Sequence, residues 1–375
     1  MRSYLTKYST LSTETSTLIA DHVYPQRAHF FPEALQRTKT GVFFAPQILL
    51  DRVLSTDIVG YVRNSKGPGK TGFIFAAGSQ TWNSGGVPLY EKHLTNSLAY
   101  SYKVELMTVT NIFGARVAGT LGATDYVSTD ASTCASSLKV LMEARHLMQS
   151  HGFGRVIVLA FEDAITNTTL SFFGGSGANL LEGDNRQPSA FDKTNGGFYV
   201  GQGGCLAVFE REDFVLKNDS KIEAELLGAF TAAEHLSNPI GQREDGQGYT
   251  RAILGALGDR DPAEVALIKS HGTGTAINNK SERAALEGVF NDFIATSYKP
   301  RIGHTVGASG LLETCLLLDD IKKGEIPEIK NRTERDTRFI SEPHPVPRGL
   351  MLSLAAGMGN VFSAALFNYH DHHKI

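Results

Sequence analysis

Short apolar runs of strand length recur along the whole chain, and they constrain what it can fold into more than any other feature. The clearest are 155–164 (RVIVLAFEDA) and 203–212 (GGCLAVFERE). Their nearly continuous apolar character marks strands buried on both faces, the condition of a parallel sheet covered by helices. The run 70–79 (KTGFIFAAGS) leads into a small-residue turn, 126–134 (YVSTDASTC) is β-branched, and 3–11 forms a first short strand before a long connection. Later come 221–230 (KIEAELLGAF), 263–274 (AEVALIKSHGTG), and the closing runs GLMLSLAAG and SAALFNY. Between them the spacing turns helical: over 39–56, with Pro46 at a start or kink, from Cys134 to about Ser150, and over 307–324. Strands alternating with helices in both halves predict an α/β architecture with largely parallel sheets. The polar stretch KNDSK (217–221) separates an N-terminal half, 1–218, from a C-terminal half, 219–375.

Composition narrows the function classes. The chain has 375 residues, enough for one large domain or two fused halves, with 41% apolar and 20% charged residues. Lys plus Arg is 36 against 39 for Asp plus Glu, a net charge of −3 that argues against a nucleic-acid partner. The N-terminus lacks the apolar run of a signal peptide, and no apolar stretch is long enough to cross a bilayer. Three cysteines do not make a disulfide framework, so a reducing cytoplasm is the expected setting. The glycine-rich stretch at 174–179 lacks a Walker lysine and a Rossmann context, GPGK (67–70) reads as a turn before a strand, and the tail YHDHHK (369–374) is read as a disordered terminus rather than a metal site.

Cys134 sits where an apolar, β-branched segment gives way to CASSLKVLMEARHLMQS. Leu138, Leu141, Ala144 and either Leu147 or Met148 recur at helical steps, so one face packs inward. A thiol at the first turn of such a helix feels the positive end of its dipole, which favours the nucleophilic thiolate. Cys205 and Cys315 lie inside an apolar strand and an apolar helix and read as small buried hydrophobes. Two histidines stand in loops rich in glycine and threonine. His271 follows an apolar strand in IKSHGTGTAINNKSE (268–282), and His304 opens a helix in YKPRIGHTVGASG (298–310), five residues after Lys299.

With these segments the chain resembles the β-ketoacyl synthases, the condensing enzymes of fatty-acid and polyketide synthesis. STDASTCASSLKVL is similar to the family's nucleophile motif, SHGTGTAINNKSE to its HGTxT…DxxE motif, and KPRIGHTVGASG to KxxxGHxxGAxG. The resemblance implies a thiolase-like fold, two similar α/β halves in five αβαβα layers with the active site where they meet. It implies an acyltransferase that performs decarboxylative Claisen condensation through an acyl-Cys134 intermediate. His271 and His304 are then the donors to the thioester oxygen, Lys299 pairs with Glu282, Thr273 and Thr275 bind the pantetheine arm, and the backbone N–H groups of Cys134 and Met358 form the oxyanion hole. It also implies no bound cofactor, since the substrates ride on phosphopantetheine of an acyl carrier protein or coenzyme A. A homodimer pairing through its sheets is expected, with a heterodimer containing a second ketosynthase-like subunit as the alternative.

The departures from the family pattern cluster around the core residues. Asn279 stands where Asp is usual, Gln202 where GEG is common, and GMGNVF (357–362) replaces GFGGTN. They bear on substrate and gating. The competing functions are an acyltransferase that moves an acyl group without decarboxylation, a non-condensing partner subunit, and a degradative thiolase. The survival of Cys134 and both histidines opposes the second, and the absence of a second cysteine in the GMGN loop opposes the third. Arg37, Lys39, Arg63, Lys66 and Lys70 are the candidate basic patch for an acidic carrier.

Overall fold

The strand β4 (Phe153–Glu162) explains the architecture best, because alternate side chains enter two different cores. Val156, Val158 and Ala160 face a central core, while Ile157, Leu159 and Phe161 face an outer one. The computed structural model describes residues 2–12, 53–78, 109–162, 164, 167–178, 180 and 185–369. Around β4 the N-terminal half sets β1 (Ser3–Ser12), β2 (Lys70–Ala76), β3 (Tyr126–Asp130) and β5 (Gly203–Arg211) in the order β3-β2-β4-β5-β1. The C-terminal half contributes β6 (Ala224–Ala233), β7 (Val265–Lys269), β8 (Ile294–Thr296), a small ribbon of β9 (Glu325–Ile326) with β10 (His344–Pro345), then β11 (Leu350–Gly357) and β12 (Val361–Asn368). Its order is β8-β7-β11-β12-β6.

The two halves repeat one plan. In each, three strands run parallel (β3, β2, β4 and β8, β7, β11), and the next strand (β5 or β12) is antiparallel to both its neighbours. The first strands of the halves meet edge to edge, Tyr4 opposite Glu225 and Leu5 opposite Ala224.

Helices fill the remaining layers. α1 (Asp57–Asn64) and α2 (Thr110–Leu121) cover the outer face of the first sheet through Ile58, Val62, Phe113 and Val117 against Phe73 and Phe75. α3 (Ser136–Ser150) lies in the middle, and α4 (Asn167–Ser176) and α5 (Glu212–Asn218) follow. α6 (Gln247–Leu257) and α7 (Ala276–Val289) cover the second sheet through Tyr249, Ile253 and Leu286. The one-turn α8 (Lys299–Ile302) precedes α9 (Ser309–Lys323), which shares the central layer with α3. The result is the five-layer αβαβα arrangement.

The expectation that both 155–164 and 203–212 are parallel strands holds for β4 against β2 and fails for β5, which is antiparallel to β4 and to β1. Both faces of β5 are buried, with Cys205, Ala207 and Phe209 inward and Leu206 and Val208 outward. A strand covered on both sides carries the same continuous apolar signature in either direction. The expected helix over 39–56 lies outside the described residues except at its end, as do Arg37, Lys39 and the tail beyond Tyr369. Among the described residues no helix is long and apolar enough to cross a membrane.

Candidate active site

Between β3 and α3 the chain makes a 3-10 turn, Thr133–Ala135, with Thr133 at φ 51°. That left-handed conformation is strained for a β-branched residue, and neighbouring contacts hold it. Ser136 Oγ donates to Thr133 O (2.7 Å) or to Ala77 O (2.8 Å) at the end of β2, and Thr133 Oγ1 donates to Met358 O (3.3 Å). Gly357 completes the latch: a Cβ there would stand 2.6 Å from both Ser132 O and Thr133 Oγ1. The loop after β11 therefore presses on the turn that carries the thiol, and a side chain at residue 357 would separate them.

Cys134 is 5% exposed and opens into a cavity of about 330 Å³. His271, Thr273, Thr275, His304 and Met358 line the same cavity, so six of the eight residues named from the sequence converge there. Cys134 Sγ lies 3.1 Å from His304 Nε2, and the rings of His304 and His271 are 5.7 Å apart at 83°. His304 Nδ1 is 2.9 Å from Ser309 Oγ, the first residue of α9, and Phe198 and Phe173 pack their rings against the imidazole. Thr273 Oγ1 and Thr275 Oγ1 are 3.1 Å apart. The cavity mouth carries Phe172, Ile240 and Ile277, all large apolar side chains exposed to solvent.

Behind the imidazoles lies a buried charge cluster. Lys299 Nζ donates to His271 O (2.5 Å) and to Glu313 Oε1 (2.8 Å), not to Glu282. The expected Lys299–Glu282 pair is thus corrected to Lys299–Glu313. Glu282 has other work: its carboxylate accepts the backbone N–H of His271 (2.6 Å) and of Gly272 (2.9 Å) and the side-chain amide of Asn278 (2.9 Å). It shapes the His271 loop from within α7, and burial still holds its carboxyl above the ordinary value. Lys269, at the end of β7, takes the other oxygen of Glu313 at 3.2 Å.

Burial, and next the Lys299 ammonium, hold both His271 and His304 well below the ordinary imidazole value, so both rings are neutral. The thiol departs from the expected thiolate. Burial pushes Cys134 up to about 12, against the opposing pull of Lys299. Desolvation of a sulfur only 5% exposed outweighs a helix end and the Lys299 ammonium, so the resting sulfur is protonated. Cys205 and Cys315 are both fully buried in the central layer, away from the cavity.

Of the candidate basic patch, Arg63 and Lys66 line a separate cleft beside the start of β2, and Lys70 is that strand's first residue. The thiol turn is tied to the other end of β2, roughly 20 Å away at about 3.3 Å per residue. These three charges do not border the cavity mouth.

Two family models match in succession: β-ketoacyl synthase, N-terminal domain, over residues 58–214, and β-ketoacyl synthase, C-terminal domain, over 224–333. The chain belongs to the β-ketoacyl synthase family. Within that family it is 29% identical over 242 residues to 3-oxoacyl-[acyl-carrier-protein] synthase 2 of Synechocystis, covering 61% of this chain and 57% of that protein. It is 29% identical over 264 residues to the tetracenomycin polyketide synthase ketoacyl synthase alpha subunit of Streptomyces glaucescens, covering 67% and 62%. The match thus spans less than two thirds of these β-ketoacyl synthases' own length. A Burkholderia phymatum β-ketoacyl synthase superposes with a TM-score of 0.76 at 16% identity, over 99% of this chain and 100% of that one. A ketosynthase solved in complex with a type II polyketide acyl-carrier protein superposes at 0.73 and 17%, over 99% of each chain. The ishigamide ketosynthase/chain length factor does so at 0.75 and 17%, also over 99% of each. These likenesses establish the thiolase-like fold.

Several residues that shape this β-ketoacyl synthase site were not singled out in the sequence. Ser309 lies five residues beyond His304 and Glu313 one helical turn further, on the same face of α9. Lys269 is a charge inside an apolar strand, a signal that was legible.

Proposed function

We propose that this chain is a condensing acyltransferase that joins an acyl thioester to a malonyl-type thioester by decarboxylative Claisen condensation. One observation carries the reading: a sulfur and two neutral imidazoles face one cavity, with Cys134 Sγ 3.1 Å from His304 Nε2. Because the resting thiol is protonated, its nucleophile forms as the proton passes to His304 Nε2 while Sγ attacks the acyl carbonyl. The carrier thiol leaves with a proton, and acyl-Cys134 remains. The backbone N–H groups of Cys134 and Met358 are suited to the oxyanion of this step, since both residues border the cavity and their turns are latched together.

A malonyl thioester then loses carbon dioxide, and the enolate oxygen receives hydrogen bonds from His271 and His304. Its carbon attacks acyl-Cys134, expels the sulfur and leaves a β-keto thioester. The Ser309 hydroxyl at His304 Nδ1 can donate or accept, so it serves both tautomers that these steps need. His271 Nδ1 is buried without a hydrogen-bond partner among the described residues. Such an orphan costs about 1–3 kcal/mol, which reorganisation around a substrate oxygen would offset. Thr273 and Thr275 line the entrance and fit a phosphopantetheine arm, carried by an acyl carrier protein or by coenzyme A, with no other cofactor and in a cytoplasmic setting.

The partner reading follows the fold. β3 is an end strand that pairs, among the described residues, only with β2, so its free edge suits a second copy of this chain or a second ketosynthase-like subunit. The carrier is expected at the mouth formed by Phe172, Ile240 and Ile277 rather than at Arg63, Lys66 and Lys70.

The test is direct. Incubation with an acyl thioester should add the acyl mass to Cys134, and a malonyl thioester should then release carbon dioxide and yield a β-keto thioester by mass spectrometry. Acyl transfer to an alcohol or amine without carbon dioxide release would replace this reading with the non-decarboxylating one.

A further inference from the structure

Lys269 closes β7 (VALIK) two residues before His271 and is fully buried in an otherwise apolar strand. Its ammonium donates to Glu313 Oε2 (3.2 Å) and to Leu354 O (2.7 Å) on β11. Lys299 occupies the other Glu313 oxygen and holds the carbonyl of His271. Two ammonium groups thus share one carboxylate, each of the three no more than 1% exposed. A second buried carboxylate, Glu282 from α7, balances the charges of the cluster and accepts from the N–H groups of His271 and Gly272 and from Asn278. Burying charge is costly, and an apolar residue of similar volume often serves stability as well or better. The charge therefore points to function. Leu354 precedes Met358 by four residues, so the Lys269 ammonium ties the strand behind His271 to the strand behind Met358.

We propose that Lys269 is a positioning residue of this site, whose ammonium shares Glu313 with Lys299, sets a positive charge behind the two imidazoles, and anchors the Met358 strand beside the His271 strand. The kinetic part of the inference rests on the condensation reading; the spectroscopic part rests on geometry alone. Four groups of known charge character face Lys269: Glu313 from α9, Lys299 from α8, Glu282 from α7, and His271 beyond β7, with His304 across the cavity from His271. Burial pushes the Lys269 ammonium down to about 8, with Glu313 opposing. Its charge is therefore present below that pH and lost above it, and while present it disfavours protonation of His271 and His304.

The experiment compares wild type with K269M and K269Q by NMR of labelled histidine, with His271 and His304 assigned through their own variants. In wild type both ring signals should shift near pH 8 as Lys269 loses its proton. In both variants that step should vanish, and the imidazoles should protonate roughly one pH unit higher, about a tenfold easier protonation. The acid limb of malonyl-thioester decarboxylation should move up with them. K269Q, which keeps a hydrogen-bond donor without charge, should match K269M in this shift while losing less of its maximal rate. Ring signals without a step near pH 8 in wild type would overturn the proposal even if neither variant folds. So would folded variants with unaltered ring titration. If wild type releases no carbon dioxide at all, the condensation reading fails while the ring titration still decides the role of Lys269.

Discussion

In the N-terminal half a 3-10 turn over Thr133–Ala135 leads into the 15-residue helix α3; in the C-terminal half Val306–Ala308 leads into the 15-residue α9. Both turns begin with a β-branched residue at positive φ, 51° at Thr133 and 42° at Val306, and both helices begin with serine. The middle residue separates them. In the first turn it is Cys134, facing a cavity; in the second it is Gly307, where a Cβ would stand 2.2 Å from Gly78 N. The same local backbone thus presents a nucleophile in one half and a close backbone contact in the other. A strained turn at a helix start does not make a reactive thiol by itself. Open space in front of it, and an imidazole delivered by the opposite half, make Cys134 different.

That contrast can be broken most severely at the sulfur. C134A should give no acyl adduct and no condensation by mass spectrometry, while its denaturation midpoint changes little, because the lost atom faces an open cavity. Next in size, H304A removes the donor and base delivered by the second half and should lower the condensation rate about 10²–10³-fold in steady-state kinetics. Substitution of the silent counterpart, G307A, should act on stability instead. It forces backbone apart at the end of β2, and a loss of about 1–3 kcal/mol is expected in urea unfolding.

The smallest effect separates the two turns by pH. His304 is held well below the ordinary imidazole value of 6.5, so an unfolded chain takes up protons that the folded one refuses. Stability should fall as pH drops through about 6.5. Cys134 is raised from 9.0 to about 12, so the folded chain keeps a proton that the unfolded one releases. Stability should then also fall as pH rises past about 9, and that alkaline loss alone should shrink in C134A.

Much of the frame was readable from pattern. The runs that became β2, β4, β5, β6 and β11 carried strand-length apolar character, and the inward face of α3 repeats at helical steps, with both Leu147 and Met148 buried. Helices α2, α6 and α7 lay outside the segments named in advance, although each covers an outer sheet face. Cys134, His271 and His304 were legible because each stands at an element end amid small residues, where backbone and substrate can approach. Glu313 and Ser309 were not, since a glutamate or serine inside an amphipathic helix looks like any other until its neighbours are known.

By itself the sequence determined the α/β class, the position of the thiol at a helix start and the two histidine loops, because these follow from periodicity and from residue types adjacent in the chain. Tertiary structure decided the direction of β5, the choice of Glu313 over Glu282 as the partner of Lys299, and the protonated state of the resting thiol. Strand direction, ion pairing and desolvation depend on groups brought together from distant segments. Their energies are set by distance and burial, which local sequence spacing does not contain.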